Sequence, residues 1–218
     1  MSTTTTIPGE LFLLLTNDAG RQDSTQFRKQ ALAAAAIAEL LLRERVALSE
    51  RRNPDVEIVD HSPTGEPALD QALAALAEVR RPRLQSVLSH RRMDLTEVIG
   101  EEFVTAGAVS RKDGWFTTTW PAEDSSIESA LRARLVGSLR DSTRASLQDG
   151  IILELLRSLR IAHRILKDDL GGMKRREVDQ AIKDLELDHP AAKALKQAMD
   201  SMNAAMAGAV GGAASAGS

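Results

Sequence analysis

The chain has no cysteine. That excludes disulfides, thiolate catalysis and cysteine-based zinc sites together, and it suits a reducing cytoplasm. No apolar run approaches the ~18 residues that a spanning helix needs, because Glu39 interrupts the longest one. Any membrane contact is therefore expected to be made from the surface. The opening Met1-Ser2-Thr3-Thr4-Thr5-Thr6 lacks the basic and apolar regions of a signal peptide. Gly-x-Gly-x-x-Gly and Walker loops and the Gly-x-Ser-x-Gly elbow are missing too. His61, His90, His163 and His189 fall in separate predicted elements without metal-ligand spacing. Asp168 and Asp169, neighbours on a predicted helix, point about 100° apart and do not converge as acid and base. No metal, no other cofactor and no catalytic residue is expected, so the chain does not read as an enzyme.

What the chain does have is alanine and leucine in helical rhythm. Hydrophobic residues make up 43% of 218, enough for one good core, and no Gly/Pro-rich linker divides the chain before its tail. From Gln26 to Val46, Phe27, Ala31 to Ala36, Ile37, Ala38 and Leu40 to Leu42 leave so narrow a polar face that this helix belongs in the interior. Glu39 is the exception, and Arg43 one turn on suggests an ion pair.

Pro8 opens a short apolar helix, Gly9 to Thr16. Val46–Leu48 and Val56–Val59 should pair as a hairpin. Helices follow from Leu69 to Val79 and from Arg83 to His90. Asp94 with Glu97 has capping-box spacing for a helix that Gly107 ends. A second hairpin is expected to turn at Arg111-Lys112-Asp113-Gly114 and continue through Trp115 to Trp120. Ser125 with Glu128 starts a helix through Leu139, and Ser142 or Thr143 starts a long one reaching about Leu170. Arg175 to Leu187 is amphipathic, and Pro190 opens the last helix. The expected fold class is mainly α: a single-domain helical bundle around a buried central helix, with two small β-hairpins. It would occupy residues 8–206, between a disordered 1–7 and an Ala/Gly/Ser tail at 207–218.

Three segments, taken in order, carry a family likeness. They are Leu13-Leu14-Leu15-Thr16-Asn17-Asp18-Ala19-Gly20, then Glu39-Leu40-Leu41-Leu42-Arg43-Glu44-Arg45-Val46, then Ser62-Pro63-Thr64-Gly65 leading to Leu69-Asp70. Together they resemble the Golgi phosphoprotein-3 family, over most of the chain. The resemblance implies a non-enzymatic peripheral membrane adaptor, cytoplasmic and reversibly membrane-associated, which binds phosphoinositides. It implies partners among anionic phospholipid headgroups and client proteins, and a homo-oligomer made through the second hairpin.

The family's headgroup pocket combines the start of the central helix with the segment before the second hairpin. Its tryptophan and three arginines fall here at Ser24, Ala33, Met93 and Thr96, so none of the four is retained. This points to a bacterial-type member, from a cell without a Golgi, and to a less selective anionic surface formed by Arg28, Lys29, Arg91 and Arg92. Arginine also gathers at Arg80, Arg81 and Arg83, and its flat five-donor fork suits phosphate. In a chain with 3% aromatics, Trp115, Phe116 and Trp120 share one ribbon with Arg111 and Lys112; that ribbon is the expected oligomer or membrane contact. An alternative is a winged-helix-like DNA-binding regulator, with Asp94 to Thr105 and the basic hairpin as its end. The net charge of −3 weighs against nucleic acid.

Overall fold

The first helix, α1 (Ile7–Leu14), is buried along its whole length, with Thr6 Oγ1 accepting the Gly9 N–H at 3.3 Å and a proline in its first turn. It packs on the central helix α2 (Arg28–Leu42), whose Ala31 to Ala38 and Leu40 are buried. Glu39 joins the two helices. Its Oε1 accepts from Arg43 Nε at 2.8 Å, the expected pair. Its Oε2 accepts the Ile7 N–H at 2.9 Å, satisfying one of the donors that a helix start leaves unpaired. The computed structural model describes residues 6–23, 27–51, 53–115 and 117–185. The expected last helix from Pro190, the tail, the first five residues, Ser24 and Phe116 lie outside them.

After α2 come β1 (Val46–Leu48) and β2 (Val56–Ile58), antiparallel with Val46 opposite Ile58. Then follow α3 (Pro67–Glu78), α4 (Leu84–Leu88), a 3-10 turn (Arg91–Met93) and α5 (Thr96–Thr105). The second hairpin is small, β3 (Lys112–Asp113) with β4 (Thr118–Thr119). The chain continues through α6 (Ser126–Arg140), α7 (Leu147–Ser158), α8 (Ala162–Leu166) and α9 (Arg175–Lys183). Helices α3 and α7 pack on α2, and α5, α6 and α7 pack on α1. The protein is thus a mainly helical bundle around a buried central helix with two two-stranded sheets, as its residue pattern indicated.

The Ser62-Pro63-Thr64-Gly65 signature is a loop staple. Thr64 donates from its backbone N and its Oγ1 to Asp70 Oδ1, at 2.6 and 2.7 Å, while Arg45 holds the Ser62 carbonyl and the Asp60 carboxylate. The loop therefore docks on the first turn of α3, which explains why Asp70 accompanies the motif.

Several local expectations need correction. The long helix from Ser142 to Leu170 is broken. Ser146 and Asp149 form a capping box that starts α7, and Arg160 at φ 60° ends it before α8. Asp94 accepts from Thr96 N and Oγ1, while Glu97 pairs with Arg111, so no reciprocal box forms there. Asp124 supplies the acceptor for Ser126 N at the start of α6, where Ser125 does not. The second hairpin turns later than expected, with Gly114 N donating to Thr117 O, so Lys112 and Asp113 stand in its first strand.

Candidate anion-binding surface

The start of α2 lies against the 3-10 turn and the start of α5. Arg28 Nη1 donates to Gln22 Oε1 at 2.9 Å and to Thr96 Oγ1 at 3.3 Å. Burial pushes the Arg28 guanidinium below its ordinary basicity, with Asp94 and Asp23 opposing that shift. Lys29 Nζ is paired with Asp94. Burial of Asp94 favours its neutral form, yet the Lys29 and Thr96 hydrogen bonds together outweigh it and hold the carboxyl below its usual range. Gln71 Nε2 ties the 3-10 turn to α3 by donating to the Arg92 and Asp94 carbonyls at 2.9 and 3.2 Å. Arg92 reaches Glu78 on α3, and Arg91 is exposed with no ion pair among the described residues.

The fold therefore brings Arg28 and Lys29 beside the segment that carries Arg91 and Arg92. It does not leave all four equally available, because Lys29 and Arg92 already face carboxylates. Two of the aligned pocket positions, Ala33 and Met93, are buried core, and Thr96 receives Arg28. No cationic pocket can be built on alanine and methionine side chains.

The hairpin residues divide. Trp115 is 91% exposed at the turn, and Lys112 is exposed on β3. Trp120 is a correction: at 1% exposure it belongs to the core and offers no face to a partner. Its ring meets Phe12 edge-on at 6.1 Å, and Phe12 stacks with Phe103 at 5.9 Å. Arg111 lies 5.4 Å above the Trp120 ring and pairs with Glu97, Glu101 and Asp113. The hydrogen bonds that it donates to Glu101 and Glu97 hold its guanidinium more basic than usual. Arg111 is thus a brace between α5 and the hairpin, not a turn residue. Phe116 lies outside the described residues.

A second charged constellation was not apparent along the chain. Arg134 on α6 grips Glu10 of α1 at 3.0 and 2.5 Å and Asp149 of α7 at 2.7 Å. Gln148 donates to the same Glu10 at 2.9 Å, and Ser138 to Asp149 at 3.3 Å. Burial lowers the Arg134 pKa, but Glu10 and Asp149 overcome it and leave the guanidinium more basic than usual. This network clamps three helices. Nearby, Arg132 faces Glu128 and the Ile165 carbonyl, and Arg140 the Asp169 carbonyl. Among the described residues no three His, Asp or Glu side chains gather as a metal site, and no helix is long and apolar enough to cross a membrane.

A buried alanine-rich helix ringed by shorter helices, a stapled Ser-Pro-Thr-Gly loop and an arginine-bearing edge at the start of that helix define the class. The sequence model described as Golgi phosphoprotein 3 (GPP34) matches residues 7–202. The chain belongs to that family. No curated protein matches it.

Proposed function

We propose that the chain is a non-enzymatic peripheral membrane adaptor of bacterial type, cytoplasmic, which attaches reversibly to anionic leaflets without a phosphoinositide-selective pocket. The observation that carries this reading is the juxtaposition of Arg28 and Lys29 with the 91–96 segment, beside the aligned pocket positions Ala33 and Met93, which are buried and apolar. Each well-placed basic residue contributes about 1 kcal/mol on an anionic surface. Trp115 adds interfacial apolar contact or joins subunits, and several weak contacts sum to useful avidity. Client proteins would be recruited by other faces of the bundle.

Replacing Arg28, Lys29, Arg91 and Arg92 by alanine and measuring sedimentation with anionic vesicles tests the reading; binding equal to wild type would dispose of it. Asp94 supplies a second test in the opposite direction. Asp94→Asn removes the carboxylate that neutralises Lys29, and vesicle affinity should rise about fivefold, one basic charge's worth. The same variant should lose part of the acid limb of the stability profile. Asp94 is depressed in the folded state, so its stabilising contribution is present at neutral pH and is lost as pH falls below the ordinary carboxylate range. Thermal unfolding of both proteins across that range reads this directly.

A further inference from the structure

The segment 80–92 carries five arginines and a histidine in 13 residues without one aspartate or glutamate, in a chain whose net charge is −3. Leu84, Val87 and Leu88 of α4 anchor it in the core, while Arg80, Arg81, Arg83, Arg91 and Arg92 are exposed. Its backbone is fixed against the first hairpin. Val56 N donates to Pro82 O at 2.7 Å, Leu84 N donates to Pro54 O at 2.8 Å, and Arg83 bridges Asp55 as an added edge beside β2.

Two carboxylates beside this segment are already engaged. Asp55 is held by Arg51 at 3.1 Å, and Glu78 by Arg92. Arg80, Arg81 and Arg83 form no ion pair among the described residues. Three like charges within four residues repel one another, and nothing in the fold calls for them. Pro82, Leu84 and the Arg83 backbone supply the local contacts, and the side chains of Arg80, Arg81 and Arg83 form no hydrogen bond or ion pair among the described residues.

We infer that Arg80, Arg81 and Arg83 are a further part of the membrane-attachment surface, continuous along the chain with Arg91 and Arg92, and that it takes the phosphate groups of anionic phospholipids by charge. The inference rests on the adaptor reading above and extends it to residues that the family's pocket does not include. A loop whose backbone is already hydrogen-bonded to the hairpin gives up little backbone freedom on binding. The segment has no Phe, Tyr or Trp on which a base could stack, so a membrane fits better than a single-stranded nucleic acid.

The test is co-sedimentation of the full chain with phosphatidylcholine vesicles containing phosphatidylglycerol, comparing wild type with R80A/R81A/R83A, R80K/R81K/R83K and R28A/K29A/R91A/R92A. At roughly fivefold per charge the first variant should bind about a hundredfold more weakly, and the lysine variant should keep its affinity. The melting temperature of the alanine variant should be unchanged or raised, because removing unpaired like charges relieves repulsion; a merely structural role predicts a fall. Wild-type binding by R80A/R81A/R83A, with binding lost in R28A/K29A/R91A/R92A, would overturn this inference and leave the adaptor reading intact. A wild-type chain that binds duplex DNA and ignores the vesicles would overturn both.

Discussion

Arg134→Ala should destabilise the bundle by about 3 kcal/mol, the lower end of the range for breaking a buried ion pair, since the Arg134 side chain is 43% exposed. Its partners are not exposed: the Glu10 and Asp149 side chains are 5% and 2% accessible. Removing the guanidinium leaves two carboxylates in the interior with, among the described residues, the Gln148 and Ser138 side chains and the Ser146 backbone N–H as donors. Arg134→Met combined with Glu10→Gln and Asp149→Asn should recover most of the stability, since it removes all three charges together. Urea titrations of the single and triple variants check both statements.

Gly100→Val should cost a comparable amount through a different mechanism. A β-carbon added at Gly100 on α5 would lie 2.6 Å from three ring carbons of Trp120, far inside van der Waals contact. Trp120 cannot retreat freely, because Phe12 closes one side of its ring and its backbone N–H is bonded to the Gly20 carbonyl at 2.6 Å. Gly20 sits at φ 73°, where an added β-carbon would overlap the Trp120–Pro121 backbone, so both ends of this contact are glycine. Overpacking of this kind costs about 1–3 kcal/mol, and the upper end applies to a β-branched residue against a wedged indole. Gly100→Ala with Trp120→Leu should be destabilised by less than the sum of the two single changes, because the second makes room for the first. Thermal unfolding of the four proteins in that cycle gives the coupling.

Structure was legible where its cause is local. The burial of α2 follows from apolar residues on every side of one helix, and the first hairpin from two β-prone runs across a turn. The family signature was legible as a motif; its role as a staple on Asp70 appears only in three dimensions. Glu39 shows the boundary: its partner Arg43 is one turn away, whereas its second partner, the Ile7 N–H, is 32 residues distant. The Arg134 clamp spans 124 residues to Glu10 and leaves no periodic trace.

The break after α7 was hidden because Arg160, with no glycine signal, takes the left-handed conformation. Trp115 and Trp120 look alike in one ribbon, yet one is exposed and the other is core. Gly100 and Gly20 were the available signals, each marking a place where a large ring or another backbone comes close. Of the candidate surface, the pairing of the α2 start with the 91–96 segment was reachable through the family resemblance. The internal carboxylates on Lys29, Arg92 and Arg111 were not, since each depends on which helix faces which.

The most direct measurement of the central claim is co-sedimentation of the whole chain with phosphatidylcholine vesicles, with and without phosphatidylglycerol, over a series of salt concentrations. Attachment through an arginine surface predicts pelleting with the anionic vesicles alone, fading as salt screens the charges. Equal pelleting with both kinds of vesicle, or with neither, would contradict it.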